Sequence, residues 1–73
     1  MNFIQASEEI LSHREFEVLE LIVRGRKNRQ IALVLEIEER TVRFHVENIL
    51  DKLSVNNRTE AVYHAFRKGW IKD

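Results

Sequence analysis

The chain has 73 residues, no cysteine, no proline and two glycines; 33% of it is charged, 44% is hydrophobic, and its formal net charge at pH 7 is zero. Such a length makes one domain, near the lower limit of what a single core holds without disulfides, metal or a partner chain, so self-association is expected from size alone. Lack of cysteine excludes a disulfide framework and a thiolate metal site, the apolar runs are too short to cross a bilayer, and the N-terminus M-N-F-I-Q-A-S-E-E has neither the basic start nor the hydrophobic centre of a signal peptide; a soluble intracellular bundle of short helices is expected.

Residues 1–10 show no strong period and read as a partly ordered arm from which Phe3, Ile4 and Ile10 can dock on the bundle. The first firm signal is Ser12-His13-Arg14-Glu15, an S-x-x-E capping box. In it the serine oxygen accepts from the amide three residues on, and the carboxylate reaches back to the cap amide. Leu11, Val18, Leu19 and Ile22 then recur at helical spacing, flanked by Phe16 and Val23, and Gly25 supplies a left-handed residue to end the helix, which predicts residues 13–24.

After a basic loop, Asn28 can cap a second helix over 28–35 that carries Ile31, Ala32, Val34 and Leu35. Only Glu36, Ile37 and Glu38 separate it from a third helix over 39–53, the short connection of a helix-turn-helix. On that third helix Val42, Val46, Ile49, Leu50 and Leu53 form one apolar stripe at about 100° per residue. Arg40, Arg43, Phe44, Glu47, Asn48 and Asp51 project from the other side. A solvated helix face rarely combines arginines, an amide and a phenyl ring, whereas a helix entering a DNA groove uses all three. Arginine forks onto guanine, asparagine onto adenine, and a ring lies against a thymine methyl. Asn57-Arg58-Thr59-Glu60 opens a fourth helix over 58–68, with Ala61, Val62, Ala65 and Phe66 as its stripe; Gly69 ends it, and Trp70 and Ile71 are placed to fold back on the last turn. The fold class is all-α, a four-helix bundle containing a helix-turn-helix, with no strand signal.

A net charge of zero argues against a polyanion partner until its distribution is considered. Glu8, Glu9, Glu15, Glu17 and Glu20 gather near the N-terminus, while Arg24, Arg26, Lys27 and Arg29 fall in one stretch and Arg40 and Arg43 follow, which gives the domain a positive and a negative side. Catalysis finds little support. His13, His45 and His64 stand apart along the chain rather than in the paired spacing of a metal site, and there is no glycine-rich phosphate loop. No cofactor, metal or small-molecule ligand is expected.

The runs S-H-R-E-F-E-V-L, N-R-Q-I-A-L-V-L, R-T-V-R-F-H-V-E-N-I-L-D-K-L and N-R-T-E-A-V together resemble the LuxR-type helix-turn-helix domain, the four-helix effector domain of many bacterial transcription regulators, over residues 11–68 of the chain. The resemblance implies a dimeric, cytoplasmic bacterial regulator of transcription whose third helix lies in the major groove of double-stranded DNA. Position by position it assigns Arg43, Phe44 and Glu47 to base reading. It places Arg40, Thr41, His45, Asn48 and Lys52, together with Asn28, Arg29, Gln30 and Arg58, at or near sugar and phosphate. Its fourth helix implies a homodimer interface at Tyr63, Phe66 and Trp70 on an inverted-repeat site, and RNA polymerase is a further candidate partner. An arm over 1–10 and a DNA-binding domain over 11–73 follow as the expected organisation, either as a free-standing small regulator or as the effector piece of a longer one.

Three departures qualify the resemblance. Glu36 and Ser54 occupy turn positions where glycine is usual, Glu38 stands where a serine commonly caps the third helix, and Glu47 sits at a base-reading place that is commonly basic or polar. Together with Glu38 and Glu39 near the groove, these leave a second function open: a LuxR-like module for protein interaction or dimerisation that has lost DNA binding.

Overall fold

The computed structural model describes residues 2–3 and 10–72, in the order β1 (Asn2–Phe3), α1 (His13–Val23), α2 (Asn28–Leu35), α3 (Glu39–Leu53), α4 (Arg58–Arg67) and β2 (Ile71–Lys72). The four helices are those the sequence predicts, shortened by one residue at the ends of α1 and α4. The two strands were not predicted. They pair antiparallel over two residues each, Asn2 with Lys72 and Phe3 with Ile71, a length too short to leave an alternating pattern in sequence. Of the docking residues expected in the arm, Ile4 and the Phe3 side chain lie outside the described residues, as do Glu8 and Glu9 of the acidic group. Ile10 does not dock; it is 48% exposed.

Local chemistry explains where each helix starts. Ser12 Oγ accepts from the Glu15 amide at 3.1 Å and Glu15 Oε1 accepts from the Ser12 amide at 2.8 Å, closing the predicted box. In α4 the cap is divided between neighbours, because Asn57 Oδ1 accepts from the Glu60 amide and Glu60 reaches the amide of Asn56. Asn28 is not the cap of α2. Lys27 takes that position, its amide donating to Gln30 Oε1 at 2.9 Å, and Asn28 becomes the first helical residue. The third helix begins at Glu38 without any side-chain cap bond.

All four helices end in the same way. A backbone amide reaches back five residues, from Arg26 to Leu21, Ile37 to Ala32, Val55 to Leu50 and Trp70 to Ala65, at 2.9–3.1 Å, across one left-handed residue, the Schellman geometry. At Gly25 and Gly69 the left-handed backbone carries no steric penalty, but Glu36 and Ser54 adopt it with φ of 56°. A Cβ in that region meets the following carbonyl. Glu36→Gly and Ser54→Gly should therefore each stabilise the domain by about 0.5–1 kcal/mol, the relieved strain less the entropy that glycine returns to the unfolded chain. Urea unfolding at neutral pH checks this, and a loss of stability on either substitution would contradict it.

The core lies where α3 crosses the other three helices. Val18, Leu19, Ile31, Val42, Ile49 and Ala61 are completely enclosed. Small Ala32, Ala61 and Ala65 bring α2 and α4 close to it. The apolar stripe assigned to α2 is narrower than expected, because Val34 is 57% exposed; Leu33, never part of it, is 73% exposed. Leu50 and Val62 are only half-buried at the core margin, and Phe66 points outward.

A polar link also ties α1 to α3. Lys52 Nζ lies 2.7 Å from Glu15 Oε1, and the Glu15 side chain is nearly enclosed. Burial by itself pushes the Glu15 carboxyl up, but the Lys52 and Ser12 hydrogen bonds and the Lys52 charge together hold it below its ordinary value. A carboxyl lowered by folding stabilises above its unfolded pKa, and that stability is lost as pH falls through the folded value. Lys52→Met should cost about 1–3 kcal/mol near neutral pH, as a charged hydrogen bond is lost. The gap from wild type should close as pH drops through the carboxylate range, and melting curves at several pH values measure it; a gap independent of pH would contradict the link.

Candidate nucleic-acid interface

The helix-turn-helix is set by three residues. Glu36 turns left-handed at the end of α2, the Ile37 amide returns to Ala32, and half-buried Ile37 packs against the core, which throws α3 across α2. One side of α3 is then fixed inward by Val42, Val46, Ile49 and Leu53. The other side faces outward as the sequence predicts: Arg40, Arg43, Phe44, Glu47 and Asp51 are exposed, with Phe44 at 60%, while Thr41, His45 and Asn48 are half-buried at the flanks. His45 lies against Phe44 at 6.3 Å between ring centroids, and its Nδ1 is enclosed without a hydrogen-bond partner.

The cations divide into those engaged within the fold and those that are not. Arg14 pairs with Glu17, Arg24 with Glu20, Arg43 with Glu39 and Lys52 with Glu15. Arg24 thus belongs electrostatically to α1 and leaves the basic stretch in which the sequence placed it. Lys52, expected at the DNA backbone, bonds a buried carboxylate 37 residues away and keeps a partly exposed side chain. Among the described residues Arg26, Lys27, Arg29 and Arg40 have no carboxylate partner, and they sit before or within α2 and α3. Arg58, Arg67 and Lys68 at α4 are likewise without one, so the unneutralised charge lies around the helix-turn-helix and along α4. Glu36 and Glu38 in the turn are also unpaired and oppose it.

Arg58 Nη2 donates to Asn28 Oδ1 at 2.5 Å, which joins the start of α4 to the start of α2. Neither element predicts this bond, since its ends are 30 residues apart. It brings two helix N-termini, each with free amides and a partial positive charge, to the same side as Arg29 and Gln30, which are both exposed.

On α4, Tyr63 and Phe66 are 63% and 54% exposed, with the Arg67 guanidinium 5.9 Å from the Tyr63 ring centroid. Trp70 does not join them. Gly69 turns the chain back, the Trp70 amide bonds to Ala65, and the indole is 4% exposed, edge-on to His64 at 5.4 Å. Trp70 is a core residue, and the expected interface loses it.

The histidines do not behave uniformly. His13 has a carboxylate one turn away after all, Glu17 at 3.9 Å, though the pair is exposed. Burial, then the charges of Lys68 and Arg67, push His64 below its ordinary value. No cluster of three or more His, Asp or Glu side chains able to hold a metal occurs among the described residues. No helix among them is long and apolar enough to cross a membrane.

Two helices at a tight turn, the second exposing arginines and a ring on a side flanked by unneutralised cations, define a helix-turn-helix DNA-binding domain. Comparison with known proteins agrees. A GerE profile describing bacterial regulatory proteins of the luxR family matches residues 9–65. The transcriptional regulatory protein DegU of Brevibacillus brevis is 51% identical over 63 residues, 86% of this chain and 27% of that protein. The response regulator VraR of Staphylococcus aureus is 47% identical over 64 residues, 88% of this chain and 31% of VraR. Among solved structures, the transcription factor GerE superposes with a TM-score of 0.78 at 36% identity, covering 86% of this chain and 94% of GerE. The response regulator ChrA of a heme-sensing two-component system gives 0.78 at 44% identity, covering 84% and 30% respectively. The chain belongs to the luxR family of bacterial regulatory proteins, as a DNA-binding transcription regulator domain and not an enzyme. It spans between a quarter and a third of the length of the DegU and VraR relatives.

Proposed function

We propose that the domain binds double-stranded DNA in a sequence-specific manner as a homodimer on an inverted repeat, in the bacterial cytoplasm, with α3 in the major groove. The observation that carries this is the outward side of α3: Arg43 and Phe44 are exposed together on a helix whose opposite side is locked into the core. Arg43, Phe44 and Glu47 read bases, Glu47 by accepting from cytosine N4. Asn28, Arg29, Gln30, Arg40, Thr41, His45, Asn48, Lys52 and Arg58 approach sugar and phosphate, aided by the two helix N-termini. Tyr63 and Phe66 supply the contact between copies, since exposed aromatic residues grouped on one helix favour a contact surface. One short helix buries little area, so the dimer is weak alone and is completed on DNA, where two-fold symmetry sets the α3 helices about 34 Å apart. Contact with RNA polymerase belongs to the same proposal as the output of a bound dimer.

Selection of bound duplexes from a random pool tests it. Enrichment of two inverted half-sites about one helical turn apart is the expected result. Enrichment of a single half-site would remove the dimer, and no enrichment would favour the protein-interaction alternative that the carboxylates Glu36, Glu38 and Glu47 raise.

A further inference from the structure

Arg43 is the one base-reading cation on α3 that already has a partner in the free protein. Its Nη1 lies 3.4 Å from Glu39 Oε2, one turn earlier on the same side, with both side chains about half exposed. Arg40, three residues nearer the helix start than Arg43, has no such carboxylate among the described residues. In the sequence Glu39 reads as one of the acidic residues near the groove, and nothing in the domain's core requires it.

We propose that Glu39 is a positioning residue for Arg43, fixing the guanidinium as a base reader and keeping it off the phosphates. The inference rests on the DNA-binding function proposed above. A free arginine side chain samples many rotamers and binds equally well to any phosphate it reaches. Held by one amino group to a carboxylate on the same helix side, it keeps donors on its outer edge for a guanine fork, and it loses less conformational freedom when that fork forms. The same carboxylate repels phosphate oxygens, so it lowers affinity for every duplex while penalising the wrong use of Arg43. In water such a pair has little weight. It gains weight when α3 enters the groove and water leaves the shared surface.

Glu39→Gln in the 73-residue chain, assayed with the duplex selected as above, with single-base-pair variants of it and with a random duplex, tests the assignment. Affinity for the random duplex should rise severalfold as the repulsion disappears. Preference at the one base pair that Arg43→Ala also relaxes should fall by roughly five- to tenfold, with the other positions unchanged. Glu39→Asp, which keeps a carboxylate one turn from Arg43, should retain most of that preference. In an Arg43→Ala background, Glu39→Gln should have no further effect on preference. The proposal is overturned if Glu39→Gln leaves that preference intact, if it weakens every position equally, or if it changes only the melting temperature through the first turn of α3. A wild type without preference at any position would instead remove the DNA-reading function on which the proposal stands.

Discussion

Replacing Trp70 by alanine is expected to cost about 3–5 kcal/mol, the range for emptying a large aromatic site in a core. The indole is 4% exposed and lies beyond the last turn of α4, held by its own amide on Ala65 and by the His64 ring. The alanines that α4 contributes to the same core, Ala61 and Ala65, are both fully enclosed and too small to fill the space. Globular domains hold roughly 0.05–0.15 kcal/mol per residue in total, so a chain of this length loses much of its stability in one substitution. Ile71, buried directly after it, and the β1–β2 pairing should loosen with it. Circular dichroism during guanidinium unfolding measures the loss. A cost below about 1 kcal/mol, the size expected of an exposed contact residue, would return Trp70 to the surface.

The second large effect concerns DNA. Arg43→Ala should cost about 1–3 kcal/mol on the best site and relax preference at one base pair, because a forked contact to a base edge is lost. Arg29→Ala should weaken selected and random duplexes alike and reduce the salt slope by about one unit, as expected for a phosphate contact. The contrast between the two substitutions is the diagnostic quantity. Arg43 lies on the exposed side of α3 beside Phe44, whereas Arg29 lies at the start of α2, where the chain faces phosphate in a helix-turn-helix. If both substitutions reduced all duplexes equally, the reading side would be elsewhere.

Legibility in the sequence followed the range of the interaction. The Ser12 box, the Asn57 cap and the α3 stripe each depend on residues within a turn or two of one another, so spacing alone located the four helices almost to the residue. Even the strained turns at Glu36 and Ser54 were visible, as departures from glycine at places where the resemblance requires a left-handed backbone. What spacing could not show was which distant group a side chain meets. The spacing around Lys52 and Arg58 gives no sign of their partners within the fold, Glu15 and Asn28, which come from other helices 37 and 30 residues away. For Trp70 two readings conflict: Gly69 beside it signals the fold-back that buries the indole, while the resemblance implies a place in the interface; the reversal determines its burial, and the residue type does not. Val34 marks the opposite limit: at about 100° per residue it falls off the arc that Ile31, Ala32 and Leu35 share, and it is 57% exposed. The terminal strand pairing left no pattern at all.

Electrostatics bears on the main question more than composition does. A neutral chain binds a polyanion only if its charges are sorted; among the described residues Arg14, Arg24, Arg43 and Lys52 are spent on carboxylates within the fold, whereas Arg26, Lys27, Arg29 and Arg40 around the helix-turn-helix and Arg58, Arg67 and Lys68 at α4 are not. The unpaired Glu36 and Glu38 reduce the resulting field without lying on the outward side of α3. Affinity should therefore be modest and unusually dependent on base contacts. Anisotropy titration of the selected duplex and a random duplex across a series of salt concentrations measures both at once. The structure predicts a linear fall of log affinity with log salt, about 0.9 for each phosphate contact, and a gap between the two duplexes that survives when salt has weakened both. Binding that is absent, or indifferent to salt and sequence in a chain that still self-associates through α4, would contradict it.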